Sequence, residues 1–234
     1  MEKWDMESLG THPLEEMGEF FNKRADIYEE VHLENISGGM ESKQLVAAYL
    51  PDNTRTIIDI GIGTGLELEA IFKRFPDVDV VGLDIAENMM QLIKERYPDR
   101  NIDLRCESYL EHDFGNELYD AALSLMTLHH YSHDVKTNLY RKILGSIKQG
   151  GIYIECDYMI SEDEYENAQE AEDFYYSEYE RLKDEQKILD GREYHYDRPC
   201  TVNNQIKMLN NAGFVNVREV WRRKNTVMLL ADKQ

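Results

Sequence analysis

Thr56-Ile57-Ile58-Asp59-Ile60-Gly61-Ile62-Gly63-Thr64-Gly65 is the stretch on which the reading of this chain turns. Its first five residues are β-branched or apolar apart from Asp59 and form a short strand. Three glycines at alternate positions then end it, and Leu66 to Phe75 continues at a helical period. In an α/β sheet a nucleotide-like ligand binds where a strand stops in a glycine turn and restarts as a helix. Glycine is needed there because the backbone has to turn tightly and approach the ligand with no Cβ in the way. Asp84 closes the next strand, 19 residues after Gly65, where a carboxylate can accept hydrogen bonds from both ribose hydroxyls.

Outward from the loop the alternation continues. Val78 to Leu83 is a second buried strand and Glu87 to Tyr97 a helix. Ile102 to Cys106 is a third strand and Ala121 to Leu125 a fourth, followed by a helix around Lys136 to Ile147. Gly150-Gly151 turns into a fifth strand, Ile152 to Cys156. Apolar strands alternating with amphipathic helices predict a mostly parallel sheet covered on both faces, an α/β fold. Before the sheet, Phe20, Phe21, Arg24, Ala25 and Tyr28 recur at helical spacing. A second helix, about Glu41 to Leu50, stops at Pro51 and is separated from the first by Gly38-Gly39. After the fifth strand, Tyr165, Ala168, Ala171, Tyr175, Tyr179 and Leu182 trace one apolar face of a long acidic helix. Thr201 reads as the N-cap of a last helix and Gly213 as its terminating glycine. Phe214 to Trp221 and Thr226 to Ala231 are too closely joined to be anything but an antiparallel pair. These segments divide a single 1–234 domain into a helical 1–50, a sheet core 51–160, an insertion 161–199 and a terminal helix and hairpin 200–234.

Composition limits the partners. Of 234 residues, 46 are Asp or Glu and 26 Lys or Arg, a net charge of −20. Such a surface repels phosphate backbones and anionic lipid, so neither nucleic acid nor a membrane is expected, and the one basic run, Arg222-Arg223-Lys224, is short. No apolar run approaches membrane-spanning length. Met1 to Gly10 carries Glu2, Asp5 and Glu7 where a signal peptide needs basic and then apolar residues. Cys106, Cys156 and Cys200 are odd in number and unclustered, which reads as reduced thiols in the cytoplasm.

Spacing also selects among nucleotide-like ligands. The dinucleotide fingerprint wants a glycine where Leu66 stands, and no basic residue lies in the loop to hold a pyrophosphate. An adenosyl ligand with a zwitterionic tail suits it better. At this point the chain, from about Phe20 to Ala231, resembles the class I S-adenosylmethionine-dependent methyltransferases. Asp59-Ile60-Gly61-Ile62-Gly63-Thr64-Gly65 is similar to the family's first motif and Asp84 to its ribose-binding acid. Glu107-Ser108 stands where the family often carries an Asp and a small residue beside the adenine. Asn211-Ala212-Gly213-Phe214 resembles the signature before the terminal hairpin. The resemblance implies a seven-stranded sheet of order 3-2-1-4-5-7-6 and S-adenosylmethionine as cofactor. Its contacts would be Asp59, Gly61, Gly63, Gly65, Asp84, Ile85, Met89, Glu107, Ser108 and Leu125. It further implies that Phe20 to Tyr28 is a lid whose Arg24 and Tyr28 close over the cofactor.

Methyl transfer needs donor and nucleophile in line, water excluded and, for an acidic nucleophile, a base. Two groups at strand ends qualify as bases: His129 and His130 after the fourth strand, and Glu155 and Asp157 at the end of the fifth. The alternatives are that the histidines wall the pocket and the carboxylates cap neighbouring amides. His133 and Asp134 read either as part of the first group or as the start of the next helix. No spacing is diagnostic of a metal, and none is expected. The insertion, with Phe174, Tyr175, Tyr176, Tyr179, Tyr194 and Tyr196, reads as a substrate cap or as packing on the core or on a second copy in a homodimer. The expected activity is methylation of a small molecule at O, N, S or C. A non-catalytic sensor or scaffold, or a methyltransferase for RNA or protein, is the alternative.

Overall fold

The computed structural model describes residues 13–234, apart from the side chains of 31–35; the acidic start, Met1 to Gly10, lies outside the described residues. Seven strands form one sheet in the order β3-β2-β1-β4-β5-β7-β6. They are β1 (Thr56–Ile60), β2 (Asp79–Asp84), β3 (Ile102–Cys106), β4 (Tyr119–Leu125), β5 (Ile147–Tyr158), β6 (Val215–Arg223) and β7 (Thr226–Asp232). The first five are parallel; β7 runs antiparallel between β5 and β6. This is the order the resemblance implies. β5 begins five residues earlier than the glycine pair suggests, because Ile147 already pairs with Tyr119 before a register shift at Ala121.

The helices are α1 (Met17–Asn35), α2 (Gly39–Tyr49), α3 (Leu68–Arg74), α4 (Glu87–Arg96), α5 (His133–Ser146), α6 (Ala168–Glu185) and α7 (Val202–Ala212). Strand alternation assigns them to faces. Ile57, Leu123 and Ile154 pack with Val46 of α2, Leu68 and Ile71 of α3, and Ile93 of α4. Their neighbours Ile58, Ala122 and Tyr153 turn to the other face, against Tyr140 and Ile143 of α5 and Leu209 of α7. Thr201 caps α7 by accepting from the Asn204 amide, and Gly213 ends it at φ 111°, both as the sequence predicts. Two residues of the basic run pair within the chain: Arg222 with Glu219 and Asp163, and Arg223 with Glu41.

The insertion's aromatic face, read as a substrate cap or as packing on the core or on a second copy, packs mainly on the insertion itself. Tyr175, Tyr179 and Leu182 of α6 bury themselves against Tyr194, Tyr196 and Ile160, a small core of their own. Its end does reach the sheet edge. Arg198, 4% exposed, donates from its guanidinium to the His130 carbonyl and from its amide to the His129 carbonyl. Residues 193–195 also pair with the start of the described chain: Met17 donates to the Glu193 carbonyl and His195 to that of Glu15.

Candidate active site

A space of about 440 Å³, open to solvent, lies over the carboxyl ends of β1, β2 and β4. The glycine loop forms one wall, and all three of its glycines have positive φ. At Gly61 a side chain would run into Thr127. At Gly63 a Cβ would meet nothing within 4 Å, so φ of 55° and an open approach, not crowding, call for glycine there. The Gly63 amide donates to Asp84 Oδ2 at 2.8 Å, and the Ala86 amide to Oδ1 at 2.8 Å. Burial raises the Asp84 carboxyl from its usual range, while these amides pull the other way.

Of the predicted residues, Tyr28, Gly61, Gly63, Asp84, Ile85, Met89 and His130 meet around this space. Burial raises the Tyr28 phenol above its ordinary value. The other predicted residues lie off the lining. Asp59 is buried under the loop beside Glu67, and Lys43 Nζ stands 2.9 Å from Glu67 Oε2. Burial and the Glu67 charge push the Asp59 carboxyl well up. Gly65 turns toward Leu68 and Ile93, and Leu125 is core. Arg24 does not face the cavity: it pairs with Glu15 at 2.7 Å and lies over the Phe20 ring. Glu107 is exposed and engages His112 at 2.7 Å, and Ser108 opens a turn by accepting from the Glu111 and His112 amides.

The strand-end groups divide by chemistry. His130 lines the cavity; burial first, then the charge on His129, hold its imidazole well below the usual value, so it is neutral. His129 is the reverse. Burial alone would lower it, but Asp157, 2.5 Å from Nδ1, and Asp197, 3.5 Å from Nε2, together lift it to about 10. Asp157 also accepts from the Leu128 and Tyr158 amides at 2.8 Å, so it is a buried anchor, not a group open to substrate. Glu155 sits on the sheet face covered by α5 and α7, where Tyr140 and Gln205 hydrogen-bond it and burial raises it to about 7. His129, His130 and Asp197 place ligand-type atoms within 4.8 Å of one another, and His129 Nε2 and Asp197 are already an ion pair at 3.5 Å.

Sequence reasoning missed Met17, Phe21, Tyr109, Met126 and Thr127 as lining residues. Met126 has φ 59°, a left-handed kink after β4 that carries Thr127 to the glycine loop, and no residue type announces it. The Lys43–Glu67 pair had a signal: Lys43 stands three residues before Val46 and four before Ala47, on the apolar face of its helix.

The fit to an adenosyl ligand rests on these features: a glycine wall of backbone amides, a buried carboxylate at the end of β2, and apolar Ile85 and Met89 beside it. Comparison with known proteins agrees. A methyltransferase-domain family model matches residues 57–151. A carboxy-S-adenosyl-L-methionine synthase of Nautilia profundicola is 25% identical over 94% of this chain and 97% of its own. Together these likenesses support a class I S-adenosylmethionine-dependent methyltransferase. S-adenosylmethionine is this methyltransferase's cofactor. A trans-aconitate 2-methyltransferase of Rhodopseudomonas palustris matches 47% of the chain and 41% of its own length at 29% identity. Among solved structures, human N-acetylserotonin methyltransferase with S-adenosylmethionine superposes on 92% of this methyltransferase at TM-score 0.60 and 15% identity. DesVI of Streptomyces venezuelae superposes on 90% at TM-score 0.63 and 12% identity, and both share the fold. The chain spans 98% of DesVI but only 55% of the human enzyme.

Proposed function

We propose that this methyltransferase transfers a methyl group from S-adenosylmethionine to a small molecule seated between Phe21, Tyr28 and His130. When bound, the cofactor supplies a methyl carbon already activated by its sulfonium. The chain's own contribution is to position and exclude water, and to take a proton where the acceptor has one to lose. One observation carries this reading: a single cavity joins the glycine wall and Asp84 at one end to a neutral, buried imidazole at the other. His130 Nδ1 faces two acceptors, the Tyr196 carbonyl at 3.3 Å and Asp197 Oδ1 at 3.4 Å. Nδ1 therefore carries the ring proton, and Nε2 keeps the lone pair that serves as base. Glu155, held between α5 and α7, has no part in this step.

The full-length likeness to carboxy-S-adenosyl-L-methionine synthases favours one second reading, in which the sulfonium ligand itself is modified. Purified enzyme incubated with S-adenosylmethionine and a panel of phenols, amines, thiols and carboxylates separates the readings. Release of S-adenosylhomocysteine with one acceptor supports methyl transfer. A bound sulfonium heavier by a carboxylate, seen by mass spectrometry, supports the second. Binding with no turnover of any acceptor would leave a sensor. The chain acts in this reading as one catalytic unit over 1–234, with 51–160 holding the cofactor and 1–50 and 161–199 above it. Its three free thiols fit the cytoplasm. None of the described helices is long and apolar enough to cross a membrane, and the acidic surface disfavours nucleic acid. The site as read takes no residue from a second copy.

A further inference from the structure

A second group of ligand-type side chains lies outside the cavity, where α5, α6 and the start of α7 meet. His133 from the first turn of α5, Glu172 from α6 and Cys200 just before α7 bring one donor atom each within 4.8 Å of the others. Glu172 and Cys200 are each 1% exposed, whereas the His133 side chain is 39% exposed and leaves a path from solvent. The Glu172 carboxylate is fixed from behind: the Thr201 amide donates to Oε2 at 2.6 Å and Asn204 Nδ2 to both oxygens at 3.0 and 3.1 Å. His133 Nε2 is 2.6 Å from Oε1, so the imidazole and the carboxylate meet at close range beside the Cys200 thiol.

We propose that His133, Glu172 and Cys200 form a zinc site that pins the insertion to the core. A thiolate, an imidazole and a carboxylate from three elements suit Zn²⁺ and not Mg²⁺ or Ca²⁺, which prefer oxygen alone. One Zn²⁺ balances the thiolate and the carboxylate, and the buried Lys136 ammonium beside Cys200 is a further charge in the same joint. Binding displaces the thiol proton of Cys200 and the imidazolium proton of His133 to solvent, and the fourth position faces the exposed side of His133, where water reaches it. Tyr176, whose hydroxyl stands 3.1 Å from Cys200 Sγ, also donates to the Tyr131 carbonyl at 3.2 Å, and Tyr131 meets the cavity residue Tyr109 hydroxyl to hydroxyl at 2.8 Å. Tyr176 and Tyr131 therefore stand between the proposed metal site and the cavity residue Tyr109.

The test uses the full chain stripped with a chelator and titrated anaerobically with Co²⁺, then with Zn²⁺. The expected result is one Co²⁺ per chain with a thiolate-to-cobalt charge-transfer band in the near ultraviolet, bleached by equimolar Zn²⁺. Cys200→Ser should abolish the band and Cys106→Ser, at the exposed thiol, should keep it. Should Cys200→Ser fail to fold, His133→Ala carries the test, because that side chain is partly exposed; it should weaken Co²⁺ by about 100-fold or more, given that losing even an outer-shell partner costs 10–100-fold. Absence of Co²⁺ binding, or a band that survives both Cys200→Ser and His133→Ala, overturns the site and leaves His133 and Glu172 as an ion pair only.

Discussion

His129 Nδ1 lies 2.5 Å from Asp157 Oδ1, with both groups buried at the carboxyl ends of β4 and β5. The charge this pair fixes on His129 is one reason the adjacent His130 stays neutral. The pair makes stability depend on pH. The His129 imidazole stands at about 10 in the fold, raised above the ordinary value of roughly 6.5. Its contribution is full below about pH 6.5 and is lost as pH rises through about 10. Urea midpoints should fall across that window. Asp157→Asn should flatten the slope and cost about 3–5 kcal/mol near neutrality, because it leaves a buried group unpaired. A slope unchanged by the substitution would place the titration elsewhere.

His130→Ala should lower turnover by about 10²–10⁴-fold with S-adenosylhomocysteine affinity little changed, once an acceptor with an ionisable proton is in hand. Because burial holds His130 well below its ordinary value, the rate should not drop between about pH 8 and pH 6 on its account. A pH–rate profile checks this. A loss confined to acceptor KM would make the residue a wall of the pocket and nothing more.

Asp84→Ala should weaken S-adenosylhomocysteine by roughly 1–3 kcal/mol, read by calorimetry. Gly63→Ala separates binding from folding. Its Cβ meets no atom within 4 Å, so the fold bears only the left-handed strain, about 1–2 kcal/mol, while the methyl enters the ligand's space. The variant should unfold cooperatively and bind S-adenosylhomocysteine poorly. Full affinity in it would mean the ligand lies away from this wall.

Lys43→Met should destabilise the protein by about 3–5 kcal/mol, since it strands Glu67 beside Asp59 with no cation in a buried setting. Adding Glu67→Gln should recover part of the loss. Denaturant midpoints of the two variants give the answer; a single variant within about 0.5 kcal/mol of the parent would show the pair to be well solvated.

The sheet was legible because its information is local. Strand runs such as Ile57–Ile60 and Val80–Leu83, and the glycines between strand and helix, state their own conformation and face. Asp84 was legible for the same reason, as the last residue of a strand. The partition of the strand-end groups was not. Glu155 and Asp157 have the same parity on β5, and only the arrival of Gln205 and Tyr140 at one, and of His129 at the other, gives them their different settings. The fate of Arg24 was equally hidden, because Glu15, nine residues earlier, competes for it from outside the helix. The aromatic face of α6 was read correctly as apolar, but what it packs on is Tyr194 and Tyr196, supplied by the same insertion after the helix has ended.

The short pairing of residues 15–17 with 193–195 has a mechanical consequence. Two segments from nearly opposite ends of the sequence are stitched edge to edge, and the ring of Phe20 lies flat on that of His195 at 3.4 Å. The leading helix and the tail of the insertion are therefore joined to each other directly and not only through the sheet. For the same reason, a graft that brings in a relative's 161–199 should work only when its own 13–21 travels with it.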